Sequence, residues 1–230
     1  RLTLDAVGVF GGTFDPVHIG HLRTALELRE TLGLQRMLLI PSARPPHREQ
    51  PGVSAEDRLA MLVAGIGDEP GLVADGRELR RSGPSYTIDT LAELRAEVGS
   101  ATALCLCVGM DSLVTLASWR RWRELTDFAH LVVAARPDWQ LPSRGEVADW
   151  LVGRRCDTVS RLHGQTAGLV LIQTLTLLPV SATRLRADLA AGRSTRYLVP
   201  DAALAHIRAH GLYRSAAPTQ KSIQNEQDTR

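Results

Sequence analysis

Two glycines, a turn and two histidines lie close together near the start of this chain. The stretch from Gly11 to His21 reads Gly-Gly-Thr-Phe-Asp-Pro-Val-His-Ile-Gly-His. It follows an apolar run over residues 2–10 that predicts a buried strand, and it precedes a helical pattern of leucines that ends at Gly33. Such a junction presents backbone N–H groups and the positive end of a helix dipole, and both bind anionic phosphate. We therefore expect a phosphate-binding site here.

The residue types of this stretch suit that role. Gly11 and Gly12 have no Cβ, so the backbone can turn sharply and a ligand can approach it closely. His18 and His21 are three residues apart, which predicts one face of the first helical turn, and Gly20 leaves room there for a large group. Imidazoles in this position donate hydrogen bonds to phosphate. Their charge stays open, because the helix N-terminus disfavours the imidazolium whereas bound phosphate favours it.

A second phosphate-binding segment is predicted near residue 181. Residues 169–178 read as a strand, after which Ser181 is a candidate N-cap of a helix that runs to Ala191. Thr183 falls in the first turn of that helix, and Arg186 lies one turn inside it, from where its side chain can reach back to the N-terminal end. Two hydroxyls, a guanidinium and a helix N-terminus form a phosphate cradle. An ordinary capped helix is the alternative explanation for this segment alone.

Composition favours one soluble domain. The chain has 230 residues, 44% hydrophobic and 23% charged, with a net charge of +2. That charge is too small to indicate a nucleic-acid or membrane-surface partner, and no apolar run approaches the ~20 residues of a transmembrane helix. No secretory pattern follows Arg1, and three cysteines are too few for a disulfide framework, so we expect reduced thiols and a cytoplasmic protein. No Cys/His cluster has zinc spacing, so we expect no metal ligands.

Strands and helices alternate along the chain. Apolar runs at residues 36–41, 101–108 and 130–135 predict strands, residues 72–79 an extended segment, and the intervening patterns helices. This alternation predicts an α/β fold: a single Rossmann-like, doubly wound parallel sheet with helices on both faces. We assign residues 1–214 to that domain and expect the polar tail, residues 215–230, to be disordered. Ligands of such sheets bind at the carboxyl ends of the strands, where residues 10–21 and 109–111 would lie.

The complete string from Gly12 to His21, Gly-x-Phe-x-Pro-x-His-x-Gly-His, resembles the signature shared by nucleotide adenylyltransferases and cytidylyltransferases. Residues 181–186 are similar to the second signature of that superfamily, which holds the β- and γ-phosphates of a nucleoside triphosphate. The order of the remaining motifs, from about residue 7 to Arg214, resembles bacterial nicotinate-nucleotide adenylyltransferases. One small departure is Met110, where several members of that family have Gln.

The resemblance implies which residues bind which substrate. It implies catalytic roles for His18, His21 and Arg186, with His21 nearest the reacting phosphate. Residues implied in ATP binding are Gly11, Gly12, Thr13, Phe14, His18, Gly20, His21, Gly109, Asp111, Arg136, Ser181, Thr183 and Arg186. Residues implied in binding nicotinate mononucleotide are His47, Tyr86, Thr87 and Trp119. Taken singly, Tyr86 and Trp119 are also explained by packing, Asp111 by helix capping and Arg136 by a solvated strand end.

The implied reaction transfers the adenylyl group of ATP to nicotinate mononucleotide and gives deamido-NAD and pyrophosphate. Mg²⁺ would be carried by ATP, with no dedicated carboxylate cage. Two alternatives stay open: an adenylyltransferase for another phosphate ester, such as nicotinamide mononucleotide or phosphopantetheine, and a non-catalytic nucleotide-binding sensor. The sequence does not indicate an oligomeric state.

Overall fold

The predicted apolar runs form one parallel sheet in the computed structural model, which describes residues 4–44, 52–136, 140–176 and 178–214. Its strands are β1 (Asp5–Gly12), β2 (Arg36–Pro41), β3 (Leu72–Ala74), β4 (Thr102–Gly109), β5 (His130–Ala135), β6 (Arg155–Cys156) and β7 (Val170–Thr174). Their order across the sheet is β3-β2-β1-β4-β5-β7-β6, and each neighbouring pair is parallel. The expected Rossmann-like α/β class is confirmed.

Helices connect these strands. They are α1 (Ile19–Thr31), α2 (Ala55–Ile66), α3 (Thr87–Val98), α4 (Met110–Val114), α5 (Leu125–Phe128), α6 (Glu146–Leu151), α7 (Val159–Leu162), α8 (Ala182–Ala190) and α9 (Asp201–Ala209). Short 3₁₀ turns cover Arg77–Arg80, Leu116–Ser118 and Trp122–Glu124. No helix in the described ranges is both long enough and apolar enough to cross a bilayer.

The helices cover both faces of the sheet, as a doubly wound fold requires. Successive strand residues point to opposite faces, so Leu39 and Cys105 pack in one apolar cluster whereas Leu38 and Leu104 pack in another. The first cluster includes buried residues of α1, α2, α8 and α9, and the second includes those of α3, α4, α5 and α6. Because both faces are buried, the strands read as continuous apolar runs rather than alternating ones.

Most element boundaries agree with the sequence predictions, but some differ. The strand predicted over residues 169–178 is β7, Val170–Thr174. The extended segment predicted at residues 72–79 is a strand only to Ala74 and then a 3₁₀ turn. The two-residue strand β6 was not predicted at all. The polar tail, residues 215–230, lies outside the described residues.

The strand order reverses direction between β1 and β4. β1 has β2 on one side and β4 on the other, and the chain leaves these two neighbours in opposite directions across the sheet. The loops after β1 and β4 therefore diverge and leave a crevice at the carboxyl ends of these strands. This topology places Gly12 and Gly109, the last residues of β1 and β4, beside one opening.

Candidate active site

A cavity of about 480 Å³ opens at the carboxyl ends of β1 and β4. Seven of the residues predicted to bind nucleotide contribute to its wall. They are Gly11, Gly12, Thr13, Tyr86, Thr87, Gly109 and Trp119. A volume of this size is typical of a small-molecule site. The cavity thus joins the end of the first signature to the segments predicted to hold a flat ring.

The paired glycines are the end of a strand rather than a turn, which corrects the sequence expectation. Gly11 and Gly12 pair with Ile40 and Pro41 of β2. A Cβ on Gly11 would meet open space, whereas a Cβ on Gly12 would lie 3.0 Å from the ring of Phe14. The chain turns further on, at Phe14 with a φ of +50° and at the cis bond before Pro16.

The two signature histidines stack on each other at the start of α1. His18 is the N-cap residue, just outside the helix, and its Nδ1 accepts a hydrogen bond of 3.3 Å from the backbone N–H of His21. The ring centroids are 3.6 Å apart with an interplanar angle of 18°. A Cβ on Gly20 would lie 3.0 Å from His18 Nδ1. The room that Gly20 provides is therefore taken up by the His18 ring.

Burial decides the charge of His18 in the free protein. The side chain is 5% exposed, and this desolvation lowers the pKa of His18 to about 4. Because Nδ1 accepts a hydrogen bond, the single proton of the neutral ring resides on Nε2. His18 is thus a neutral donor at physiological pH, with Nε2–H available for a phosphate oxygen.

The second signature reaches the first through Arg186. Its Nη1 donates a 2.8 Å hydrogen bond to the backbone carbonyl of Asp15, and its Nη2 donates one of 3.4 Å to the hydroxyl of Thr183. Ser181 caps α8, as predicted, by accepting a hydrogen bond from the backbone N–H of Arg184. Arg186 does curl back to the helix start, so the two predicted phosphate-binding segments lie side by side.

Two residues that the sequence analysis did not identify, Arg58 and Tyr213, hold the loop between β1 and α1. Arg58 lies on α2 and is 1% exposed, and its Nη1 donates a 2.7 Å hydrogen bond to the backbone carbonyl of Thr13. The hydroxyl of Tyr213 donates a 2.5 Å hydrogen bond to the carboxylate of Asp15, which is itself 5% exposed. Burial and the neighbouring carboxylate raise the pKa of Tyr213 far above its usual value, so its phenol stays protonated. We call Asp15, Arg58 and Tyr213 the loop clamp.

The other end of the cavity is formed by the start of α3 and the segment after α4. Tyr86 is the N-cap residue of α3, and within the described residues no side chain caps this helix start. The guanidinium of Arg120 lies over the Tyr86 ring, 4.6 Å from its centroid, and both residues line the cavity together with Trp119. Neither Arg120 nor its stacking on Tyr86 was foreseen from the sequence.

An acidic side chain also belongs to the cavity wall. Glu78, 8% exposed, accepts a 2.7 Å hydrogen bond from the hydroxyl of Thr90, and Thr90 in turn accepts one of 2.8 Å from Arg81. The carboxylate is therefore engaged by a network of the wall itself. Among the described residues of the wall, Arg120 is the one with a cationic side chain.

The remaining predicted residues that the structure describes are not part of the cavity wall. His18, His21 and Arg186 flank it beyond Phe14, whose ring lies 5.0 Å from that of His21. Asp111 is exposed in the first turn of α4, and Arg136 is exposed after β5. His47 lies outside the described residues. The structure thus brings together the two signatures and the ring-side residues, while Asp111 and Arg136 stand at the rim of the sheet edge.

The sequence matches the Cytidylyltransferase-like family over residues 9–188. It is 50% identical over 210 residues to a protein of Aeromonas hydrophila named "Probable nicotinate-nucleotide adenylyltransferase", covering 91% of this chain and 98% of that one. A Pseudomonas putida protein of the same name is 49% identical over 209 residues, covering 91% and 95% of the two chains.

Solved structures share the architecture. A Plasmodium falciparum nicotinic acid mononucleotide adenylyltransferase complexed with NaAD superposes with a TM-score of 0.67 at 13% identity, covering 91% of this chain and 97% of that one. The same Plasmodium enzyme complexed with APC gives a TM-score of 0.63 at 12% identity. At this identity the likeness concerns the fold.

Proposed function

This chain belongs to the cytidylyltransferase-like family and, within it, to the nicotinate-nucleotide adenylyltransferases, and we propose that its signature residues and its cavity carry out that reaction together. The reaction joins ATP to nicotinate mononucleotide and gives deamido-NAD and pyrophosphate. The single observation that carries the residue assignment is the contact of Arg186 with Asp15, which puts both predicted phosphate-binding segments beside one cavity.

The chemistry needs positioning more than acid–base help. The 5′-phosphate oxygen of the mononucleotide attacks the α-phosphorus of ATP, the bond from that phosphorus to the bridging oxygen breaks, and pyrophosphate leaves. A phosphate monoester is already ionised at neutral pH, so no general base is required. The barrier comes from bringing two polyanions together and from the charge on the leaving group, and fixed donors lower both.

We assign these donors to the two signatures. His18 donates from Nε2 as a neutral group, and His21, stacked on it, lies nearest the α-phosphate. Ser181, Thr183 and Arg186 hold the leaving pyrophosphate at the start of α8. The loop clamp keeps the backbone of residues 13–15 in place, so these donors need no rearrangement when charge develops.

Magnesium enters as part of the MgATP substrate. Mg²⁺ prefers oxygen ligands and is commonly bound by one or two carboxylates together with substrate phosphates. The one carboxylate of the clamp, Asp15, is already paired with Tyr213 and lies 3.8 Å from Arg186. This pairing supports a metal that rides on the phosphates rather than one held by this loop.

The pyridine substrate is assigned to the end of the cavity formed by Tyr86, Thr87 and Trp119. We propose that the flat ring stacks on Trp119 and Tyr86, while its carboxylate accepts hydrogen bonds from the start of α3 at Thr87. Arg120, stacked on Tyr86, supplies positive charge next to that position. Nicotinamide mononucleotide and phosphopantetheine lack the ring carboxylate that such a site would select.

The test is a pyrophosphate-release assay with MgATP and a panel of phosphate acceptors. We expect nicotinate mononucleotide to be the preferred acceptor, with deamido-NAD as the product identified by mass spectrometry. Release that is faster with phosphopantetheine, or binding of ATP with no release for any acceptor, would overturn the assignment in favour of another transferase or of a sensor.

We also place the reaction in a reducing compartment, the cytoplasm. Cys105, Cys107 and Cys156 are free thiols and buried, and burial raises the pKa of Cys105 to about 12. Inert, unpaired thiols are typical of cytoplasmic proteins.

A further inference from the structure

Three side chains of metal-ligating types converge away from the cavity, at the start of α2 and the end of α9. Asp57 is in the first turn of α2, and His206 and His210 are four residues apart at the end of α9. One ligand atom from each lies within 4.8 Å of the other two. None of the three contributes to the cavity wall or to either signature.

The spacing of these atoms fits a small transition-metal ion. His206 Nε2 and Asp57 Oδ1 are 3.0 Å apart, and the rings of His206 and His210 lie nearly parallel with centroids 4.0 Å apart. Ligands at 2.0–2.1 Å from a tetrahedral ion are separated from each other by roughly 3.3 Å. Small side-chain rotations would therefore bring all three atoms onto one ion.

Outer contacts already orient two of the ligands. The hydroxyl of Ser54 donates a 2.7 Å hydrogen bond to Asp57 Oδ2, which leaves Oδ1 directed at His206. The Nδ1–H of His210 donates a 3.0 Å hydrogen bond to the backbone carbonyl of His206. This contact fixes the tautomer of His210 in which Nε2 has the free lone pair. Metal-binding histidines and carboxylates are typically held by such contacts.

We propose that Asp57, His206 and His210 bind one divalent transition-metal ion of the zinc class, with water completing the coordination. Two imidazoles and one carboxylate suit Zn²⁺, Co²⁺ or Ni²⁺ and disfavour Mg²⁺, which prefers oxygen ligands. On binding, the ion takes the place of the Nε2 proton through which His206 donates to Asp57, and the neutral ring then carries its single proton on Nδ1.

The site would link the two supports of the active-site loop. Asp57 immediately precedes Arg58, which binds the carbonyl of Thr13, and His210 lies three residues before Tyr213, which binds Asp15. An ion that joins α2 to α9 therefore stabilises the clamp without touching substrate. The inference is independent of the proposed function, since it concerns metal binding by the free chain.

The experiment measures metal affinity directly. The full chain without a histidine tag is stripped with a chelator and titrated with Zn²⁺ in competition with a chromophoric chelator, and with Co²⁺ by visible absorption. We expect one ion per chain and a tetrahedral Co²⁺ spectrum. His210→Ala and Asp57→Asn should each weaken Zn²⁺ binding by about 100-fold, the upper end of the loss seen when metal sites lose a supporting group.

Matched variants separate this site from others. Glu56→Gln, an exposed neighbour of Asp57 that lies outside the cluster, should bind Zn²⁺ as the parent does. Zn²⁺ should raise the Tm of the parent and of His21→Ala, but not that of His210→Ala, whose folding is checked by circular dichroism. Absence of binding by the parent, or binding that survives His210→Ala and is lost in His21→Ala, would overturn the proposal.

Discussion

The two ends of the cavity are built in different ways. At the phosphate end, His18, Asp15 and Arg58 are each at most 5% exposed, and remote side chains fix the backbone of the loop. At the ring end, Tyr86 and Trp119 are half-buried, and Arg120 is held by stacking on an aromatic face. We propose that the first end stabilises a charge that is common to all adenylyl transfers, whereas the second end selects the acceptor. Rate and selectivity should therefore respond to different substitutions.

The largest effect is expected at the phosphate end. His21→Ala removes a donor beside the reacting phosphate, and loss of one such donor costs about 3 kcal/mol in the transition state, or roughly 10²–10³ in kcat. The KM for nicotinate mononucleotide should change little, because the ring end is untouched. Steady-state kinetics of a variant with a parental circular dichroism spectrum test this. A folded variant with near-parental kcat would contradict the assignment.

Selectivity should depend on the ring end. A carboxylate accepts hydrogen bonds from the start of α3, whereas a carboxamide presents its NH₂ to the same donors and leaves groups unpaired. We therefore expect a preference for nicotinate over nicotinamide mononucleotide of at least about 100-fold in kcat/KM, near 3 kcal/mol. Comparable kcat/KM values for the two mononucleotides would refute the carboxylate assignment, even if adenylyl transfer itself is confirmed.

A substitution of Arg120 tests how much its charge contributes to the preference for the acid. Arg120→Gln removes the positive charge next to Tyr86, and we expect the preference for the acid to fall by about tenfold, since one exposed charge contributes on the order of 1 kcal/mol. Arg123→Gln is the matched control, because Arg123 is exposed, lies over Trp122 and pairs with Glu146 outside the cavity wall. An unchanged preference in Arg120→Gln would assign selection to the helix start alone.

These contrasts also explain what the sequence could predict. The strands at residues 36–41 and 130–135 and the cap Ser181 were predicted correctly, because each depends on a local pattern. The signatures were identifiable because their residues are contiguous. Arg58 and Tyr213 were missed, since their partners Thr13 and Asp15 are 45 and 198 residues away in the chain.

The proposed metal site of Asp57, His206 and His210 was not foreseen for the same reason. The pair His206 and His210 has helical i,i+4 spacing, but its third member, Asp57, is 149 residues from His206. The two-residue strand β6 is too short to show any periodicity, and it forms only through pairing with β7. Contacts between distant parts of the chain can be identified only when the fold is known.

Titration of His18 offers a separate test of the buried end. Its pKa in the folded protein, about 4, is below the 6.5 of the unfolded chain. Between pH 4 and pH 6.5, His18 binds more protons in the unfolded chain than in the folded protein. The contribution of neutral His18 to the free energy of unfolding is therefore fully present above pH 6.5 and is lost as the pH falls toward 4. His18→Asn keeps an N-cap acceptor but does not titrate. From pH 7 to 4.5, urea unfolding should show the parent losing about 2–3 kcal/mol more than this variant; equal losses would contradict a buried neutral His18.

The smallest effect is expected for the clamp. Tyr213→Phe removes the hydroxyl that donates to Asp15 but leaves Arg186 nearby. We expect the transition state to lose about 1 kcal/mol of stabilisation, which is a tenfold loss in kcat. The KM for either substrate should change little. Tyr197→Phe is the control, because Tyr197 is 78% exposed. A chain that ends at Arg214 should retain parental kcat and Tm, since the composition of residues 215–230 cannot build a core, whereas a chain that ends at Leu212 should lose at least as much activity as Tyr213→Phe. If Tyr213→Phe instead raised the KM for nicotinate mononucleotide alone, the clamp would belong to the ring end, and the division of labour between the two ends would be wrong.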